Sequence, residues 1–193
     1  MEINLKDRKS RVRLLSDIKK VVFDQEWLKT APDRELYFMY GDVINEGDFK
    51  YSVTVLPPFN LGKEFVKTKG HVHIGSFQET YTVLEGEAIY LMQKGNELIE
   101  DVYAVFAKKG ESIIIPSGYG HITINASNLE LKTGDWRYKD CKSDYSLFER
   151  LGGACYYYTK NGWVKNKNYK QIPEIRFEEP LKSLPEDLSF LKA

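Results

Sequence analysis

Eight short segments rich in β-branched and aromatic residues, each fenced by Gly, Pro, Asn or Asp, constrain this chain more than any other feature. They are Tyr37–Tyr40, Tyr51–Leu56, Phe65–Thr68, Thr80–Leu84, Ala88–Gln93, Val102–Ala107, Ser112–Ile115 and His121–Asn125. Such spacing predicts an all-β sandwich or barrel, with reversals at Glu85-Gly86-Glu87, Lys108-Lys109-Gly110 and Pro116-Ser117-Gly118. Two more strands are expected within Ala154–Thr159 and Trp163–Lys165, joined at Lys160-Asn161-Gly162. No repeat or linker divides the 193 residues, so the reading is one domain spanning 1–193. Its barrel core occupies about 35–167, between an N-terminal extension (1–34) and a C-terminal tail (168–193). The extension holds a short helix candidate from Asp24 through Leu28, ahead of Pro32. In the tail, Ser183 and Glu186 form a capping-box pattern that predicts a short final helix carrying Leu188 and Leu191.

Charge narrows the partners. Lys plus Arg (28) balances Asp plus Glu (28), which leaves no global field to recruit nucleic acid or an anionic membrane. No apolar run approaches the roughly 18 residues of a membrane span, and Met1 to Arg8 lacks the apolar core of a signal peptide. The expectation is a cytoplasmic protein. Cys141 and Cys155 are too few for a disulfide scaffold and read as free thiols.

The chain has 3 histidines. In Gly70-His71-Val72-His73 the imidazoles stand two apart, so on a strand they share one face. Glu79 follows six residues later, far enough to turn and present its carboxylate back toward them. On His121-Ile122-Thr123-Ile124-Asn125, alternation sends His121, Thr123 and Asn125 to one face. Three imidazoles and a carboxylate suit one divalent transition metal (Fe, Ni, Mn or Zn) and suit Ca or Mg poorly. The predicted metal ligands are therefore His71, His73, Glu79 and His121.

The run Gly110-x5-Pro116-x-Gly118-x2-His121-x3-Asn125 resembles the second motif of the cupins. His71-x-His73, Glu79 and Gly86 resemble most of the first motif, with Phe65 where a glycine is usual. The implied fold is a cupin barrel, a double-stranded β-helix or jelly roll, with short helical extensions at both ends. Thr54-Val55-Leu56-Pro57, Gly62 to His73 with its Thr68-Lys69-Gly70-His71 core, and Glu79-Thr80-Tyr81 resemble the cupin-type glucose-6-phosphate isomerases. So do Arg13-Leu14-Leu15-Ser16-Asp17 and Asp144-Tyr145. That resemblance implies a homodimeric, metal-dependent interconversion of glucose 6-phosphate and fructose 6-phosphate. It places Tyr37 (or Tyr40 in its stead), Thr54, Thr68, Gly70 and Tyr145 on positions that hold the sugar phosphate. Lys69 is close enough to add charge. Ser143 stands where the family carries a histidine.

Aldose–ketose isomerisation needs a hydrogen moved between C1 and C2 while charge on O1 or O2 is stabilised. Glu79 is the candidate base, through an enediol or beside a hydride shift. Tyr81 shares its strand face and is expected to orient substrate or carboxylate. Thr54 and Thr68 are expected on adjacent strands, hydroxyls inward, with the Gly70 amide aimed at the same spot. Two other classes fit the same ligands: an Fe(II) cupin oxygenase on a small polar substrate, and a non-catalytic sugar-phosphate-binding cupin.

Overall fold

The computed structural model describes residues 3–192 and is dominated by antiparallel strands. In the N-terminal region, β1 (Arg11–Leu14) is followed by the single-turn helices α1 (Leu15–Ile18) and α2 (Gln25–Leu28). Asp24 caps α2 by accepting the Trp27 amide at 3.1 Å, as its sequence position predicts. Next come β2 (Glu35–Glu46), β3 (Phe49–Leu56), β4 (Asn60–Leu61), β5 (Glu64–Lys67), β6 (Val72–Ile74), β7 (Glu79–Glu85) and β8 (Glu87–Gly95). The chain continues through β9 (Ile99–Lys108), β10 (Ser112–Ile115), β11 (Tyr119–Asn125), β12 (Leu131–Tyr138) and β13 (Lys142–Asp144). Helix α3 (Ser146–Arg150) precedes β14 (Tyr156–Thr159), β15 (Gly162–Lys165) and β16 (Arg176–Glu178).

Two sheets enclose one core. The first runs β1-β2-β3-β12-β7-β10; the second runs β15-β14-β5-β11-β8-β9-β16, with β4 beside β5, and β13 pairs with β6 across the mouth. Leu56, Tyr81, Val83 and Ile113 of the first sheet join Tyr90, Met92, Ile122 and Ile124 of the second in a single buried cluster. This is the all-β cupin barrel. All eight strands anticipated between Tyr37 and Asn125 form, as do β14 and β15.

β12 was not anticipated. It sits between β3 and β7, although Gly134-Asp135 carries turn chemistry and weak strand formers. Gly134 is there for space: a Cβ would lie 1.7 Å from the Tyr51 hydroxyl, which crosses it toward Trp136. β1, β4, β13 and β16, each four residues or fewer, carry no expectation from the sequence either, whereas the strand through His73 forms as β6.

The tail corrects one expectation. Ser183 and Glu186 start no helix; the helical turn among the described residues of the tail is a 3₁₀ turn at Ser189–Lys192. Leu181 exchanges backbone hydrogen bonds with Ser112 in both directions, which holds the chain extended up to the proposed cap. Asp187 caps instead, accepting the Ser189 amide at 2.8 Å, and Leu191 is buried. The N-terminal extension is pinned by a buried pair, Lys67 with Glu64. Lys67 also donates to the Val21 carbonyl at 2.8 Å, and the Phe23 amide donates to Glu64 at 2.9 Å.

Candidate metal centre and active site

Three segments converge inside the barrel. His71 and His121 exchange backbone hydrogen bonds of 3.3 and 3.0 Å, which brings the β6 approach against β11. His73 lies on β6, and Glu79 opens β7. The ligand atoms of His71, His73, Glu79 and His121 all fall within 4.8 Å of one another. Glu79 Oε2 is 3.2 Å from His73 Nε2 and 3.1 Å from His121 Nε2.

The donor set fits a divalent transition ion. Glu79 Oε2 and His121 Nδ1 are buried without a hydrogen-bond partner, and an acceptor oxygen aimed at imidazole nitrogens demands a proton or cation between them. His73 Nδ1 lies 3.4 Å from the Phe77 carbonyl; a proton placed there leaves Nε2 free for the ion.

Electrostatics follow from burial and crowding. Burial opposes charge on Glu79, but the close imidazole nitrogens of His121 and His73 outweigh it and hold the carboxyl well below its ordinary range. Burial holds His71 well below the usual imidazole value, reinforced by His121. His121 is also lowered, mainly by burial. Burial pulls His73 down as well, yet hydrogen bonds with Cys141 and Glu79 prevail and raise it to about 10.

Tyr81 stands where its strand position predicts. Its hydroxyl is 3.4 Å from His121 Nε2, and burial, then the Glu79 charge, push the phenol well above 10. It therefore remains neutral.

The residues assigned to the sugar phosphate divide into two groups. Tyr37 is buried and its hydroxyl accepts the Lys69 amide at 3.2 Å, whereas Tyr40 packs on the outer face of the sheet. Of the two, Tyr37 is the one that faces the barrel interior. Tyr145 lies 5.6 Å from the His71 ring, centroid to centroid, and Lys69 Nζ stands 5.2 Å from the Tyr145 ring while pairing with Glu149 at 2.5 Å. Gly70 has φ +83°, and a Cβ there would lie 2.5 Å from Ile122 and 2.7 Å from Phe148. Thr54 and Thr68, expected on adjacent strands, are on facing sheets instead. Thr54 pairs with Met39 and Thr133 in the first sheet. Thr68 follows β5 in the second, and its Oγ1 accepts the Thr123 amide at 3.0 Å.

Asp135 is the residue the sequence hid. It lies opposite Tyr81 on β12, buried, within hydrogen-bonding reach of Glu79. Burial and then the Glu79 charge raise it to about 8 against Arg137. Arg137 donates to Ser52 Oγ at 2.6 Å and Asp42 Oδ1 at 2.9 Å. Ser143 is the cross-strand partner of His73 on β13. Asn125 is structural: its amide donates to the Leu56 and Leu129 carbonyls.

Comparison with known proteins bears on this arrangement. The family model for glucose-6-phosphate isomerase (GPI) matches residues 13–174. A glucose-6-phosphate isomerase of Pyrococcus horikoshii is 30% identical over 170 residues, covering 81% of this chain and 85% of its own. That of Thermococcus kodakarensis is 32% identical over 162 residues, covering 81% and 84%. Among solved structures, an oxalate oxidase aligns at 17% identity with a TM-score of 0.42, covering 52% of this chain and 49% of its own. No helix among the described residues is long and apolar enough to cross a membrane. Because the family match runs from β1 through every strand of the histidine site, this chain belongs to the glucose-6-phosphate isomerase family.

Proposed function

We propose that this chain is a metal-dependent isomerase that interconverts glucose 6-phosphate and fructose 6-phosphate. The observation that carries the reading is the convergence of His71, His73, Glu79 and His121 beside Tyr81 and Tyr145 in a chain of this family. A divalent cation held by those four side chains supplies Lewis-acid polarisation of the substrate's O1 and O2.

The chain's own groups do the rest. Glu79, ionised inside the barrel, takes the C2 proton of open-chain glucose 6-phosphate and returns it to C1, passing through an enediol. Tyr81, neutral and buried, aims that carboxylate and donates to a substrate oxygen. Tyr37, Gly70, Tyr145, Thr54 and Thr68 take the phosphate end, and the two sheets that carry the threonines grip it from opposite sides. The packed barrel interior excludes bulk water from the reacting carbons.

The test is fructose 6-phosphate conversion before and after chelation, followed by addition of Fe, Ni, Mn or Zn. Activity lost on chelation and restored by one of these ions is expected. A metal-free preparation of full activity removes the metal; a metal-replete one that binds fructose 6-phosphate without turnover leaves a binding protein. Oxygen consumption with a small polar substrate and no isomerisation leaves an oxygenase. A homodimer in the cytoplasm belongs to the same reading, and sedimentation as a monomer at micromolar concentration removes the dimer.

A further inference from the structure

Arg13 is a half-buried cation whose Nε is buried and finds no hydrogen-bond partner among the described residues. No carboxylate among the described residues pairs with it either. The cation that shares the Tyr145 ring with it, Lys69, is matched by Glu149. A guanidinium that donates to the neutral Tyr37 hydroxyl but keeps a buried, unpartnered N–H beside it is placed to take an anion that the described residues do not supply.

The surroundings say what kind of anion. β1 pairs Arg13 with Tyr37, whose side chain enters the barrel core. The guanidinium carbon lies 5.6 Å from the centre of the Tyr145 ring, which in turn lies 5.6 Å from the His71 ring. One aromatic ring thus separates the cation from the histidine cluster, a gap of the order of a hexose chain. Phenols at Tyr37 and Tyr145 and the Lys69 ammonium border the same space. Hydroxyl donors around a planar fork of N–H groups match the tetrahedral oxygens of a phosphate.

We propose that Arg13, delivered by β1 from outside the barrel, is the fixed-charge ligand of the substrate's phosphate, held between Tyr37 and Tyr145. This rests on the sugar-phosphate reading above. It makes the N-terminal extension part of the site and Arg13 a specificity residue for phosphorylated over neutral sugars.

The experiment measures dissociation constants for inorganic phosphate and fructose 6-phosphate on metal-loaded protein, with metal content and circular dichroism recorded for each variant. Arg13→Met should weaken both ligands by about ten- to hundredfold, the range of a lost charged hydrogen bond, with metal content retained. Arg13→Lys should recover part of that loss. Arg11→Met, an exposed arginine two residues earlier on the same strand, is the control and should bind phosphate like the parent. Unchanged phosphate affinity in Arg13→Met overturns the proposal, as does an equal loss in Arg11→Met. If Arg13→Met fails to fold, Arg13→Gln, which keeps a polar side chain and removes the charge, decides: a loss of about tenfold or more in affinity for both ligands in a folded, metal-bearing protein supports the proposal, and parental affinity for both overturns it. Phosphate binding through Arg13 in a protein that never isomerises fructose 6-phosphate sinks the isomerase reading alone.

Discussion

The carboxyl of Asp135 lies within hydrogen-bonding reach of the Glu79 carboxylate, although the two residues are 56 positions apart in sequence and on different strands. Two buried carboxyls so close cannot both ionise cheaply, and their surroundings assign the proton. Glu79 has two imidazoles to favour its charge, while Asp135 has only Arg137 against burial and the Glu79 charge. Asp135 therefore holds the proton, with its ionisation raised to about 8.

A carboxyl raised in the folded state binds more protons folded than unfolded between its unfolded value, about 3.9, and about 8. Its contribution to the stability of metal-free protein is full at low pH and is lost as pH rises through that window. Asp135→Asn should flatten this fall, and the variant should gain on the parent above pH 8. Denaturant unfolding at several pH values measures it; parallel curves for the two proteins contradict the assignment.

Metal uptake should release a proton. His73, raised to about 10 in the metal-free site, must give up the proton on its ligating nitrogen to bind. Calorimetric titration at pH 7 in buffers of different ionisation enthalpy should show about one proton released per ion. Affinity should rise with pH, and His73→Ala should lower it by more than about tenfold.

Thr68→Val should cost stability as well as phosphosugar affinity. Its hydroxyl accepts the Thr123 amide, which valine would leave without an acceptor, at about 1–3 kcal/mol. Thr68→Ser restores the acceptor and should regain most of the stability. Chemical denaturation of both variants beside fructose 6-phosphate binding separates the two roles.

Lys67→Met should be among the most destabilising single changes, at about 3–5 kcal/mol, because it strands the buried Glu64 carboxylate. Glu64→Gln combined with Lys67→Met should recover part of the loss, since neither charge then remains buried. Protease sensitivity of the Val21 to Asp24 segment reads out the freed extension directly.

Solvent isotope incorporation distinguishes the two chemical routes. Proton transfer through Glu79 should place deuterium at C1 or C2 when fructose 6-phosphate turns over in D₂O. Complete retention of substrate hydrogen would favour the hydride shift instead.

The sequence made the histidine site legible because its information is local. His71 and His73 share a face by strand periodicity, Glu79 is one turn away, and His121 lies in a motif with fixed glycine and proline positions. The phosphate side was legible only through resemblance. Which sheet carries Thr54 and which carries Thr68 depends on strand order, and no local periodicity encodes that. Asp135 was hidden for a related reason. Gly134 and Asp135 look like a turn in isolation, and only the Tyr51 side chain lying over Gly134 makes a strand the better solution. At Ser183 the local helix signal lost to the backbone pairing of Leu181 with Ser112, which had already committed the chain to an extended path.

The place of β12 between β3 and β7 bears on how the protein is made. As the chain leaves the ribosome, β3 and β7 emerge long before Leu131 does, and each presents an unpaired edge until β12 arrives to fill the gap. His73 waits longer still for its partner strand at Ser143. A nascent chain that has passed Glu79 but not yet completed β12 thus has its first two histidines and Glu79 but no closed barrel to hold them. Newly made protein should be most prone to strand-edge aggregation in that interval, and a metal ion arriving then would meet loose ligands on an open sheet.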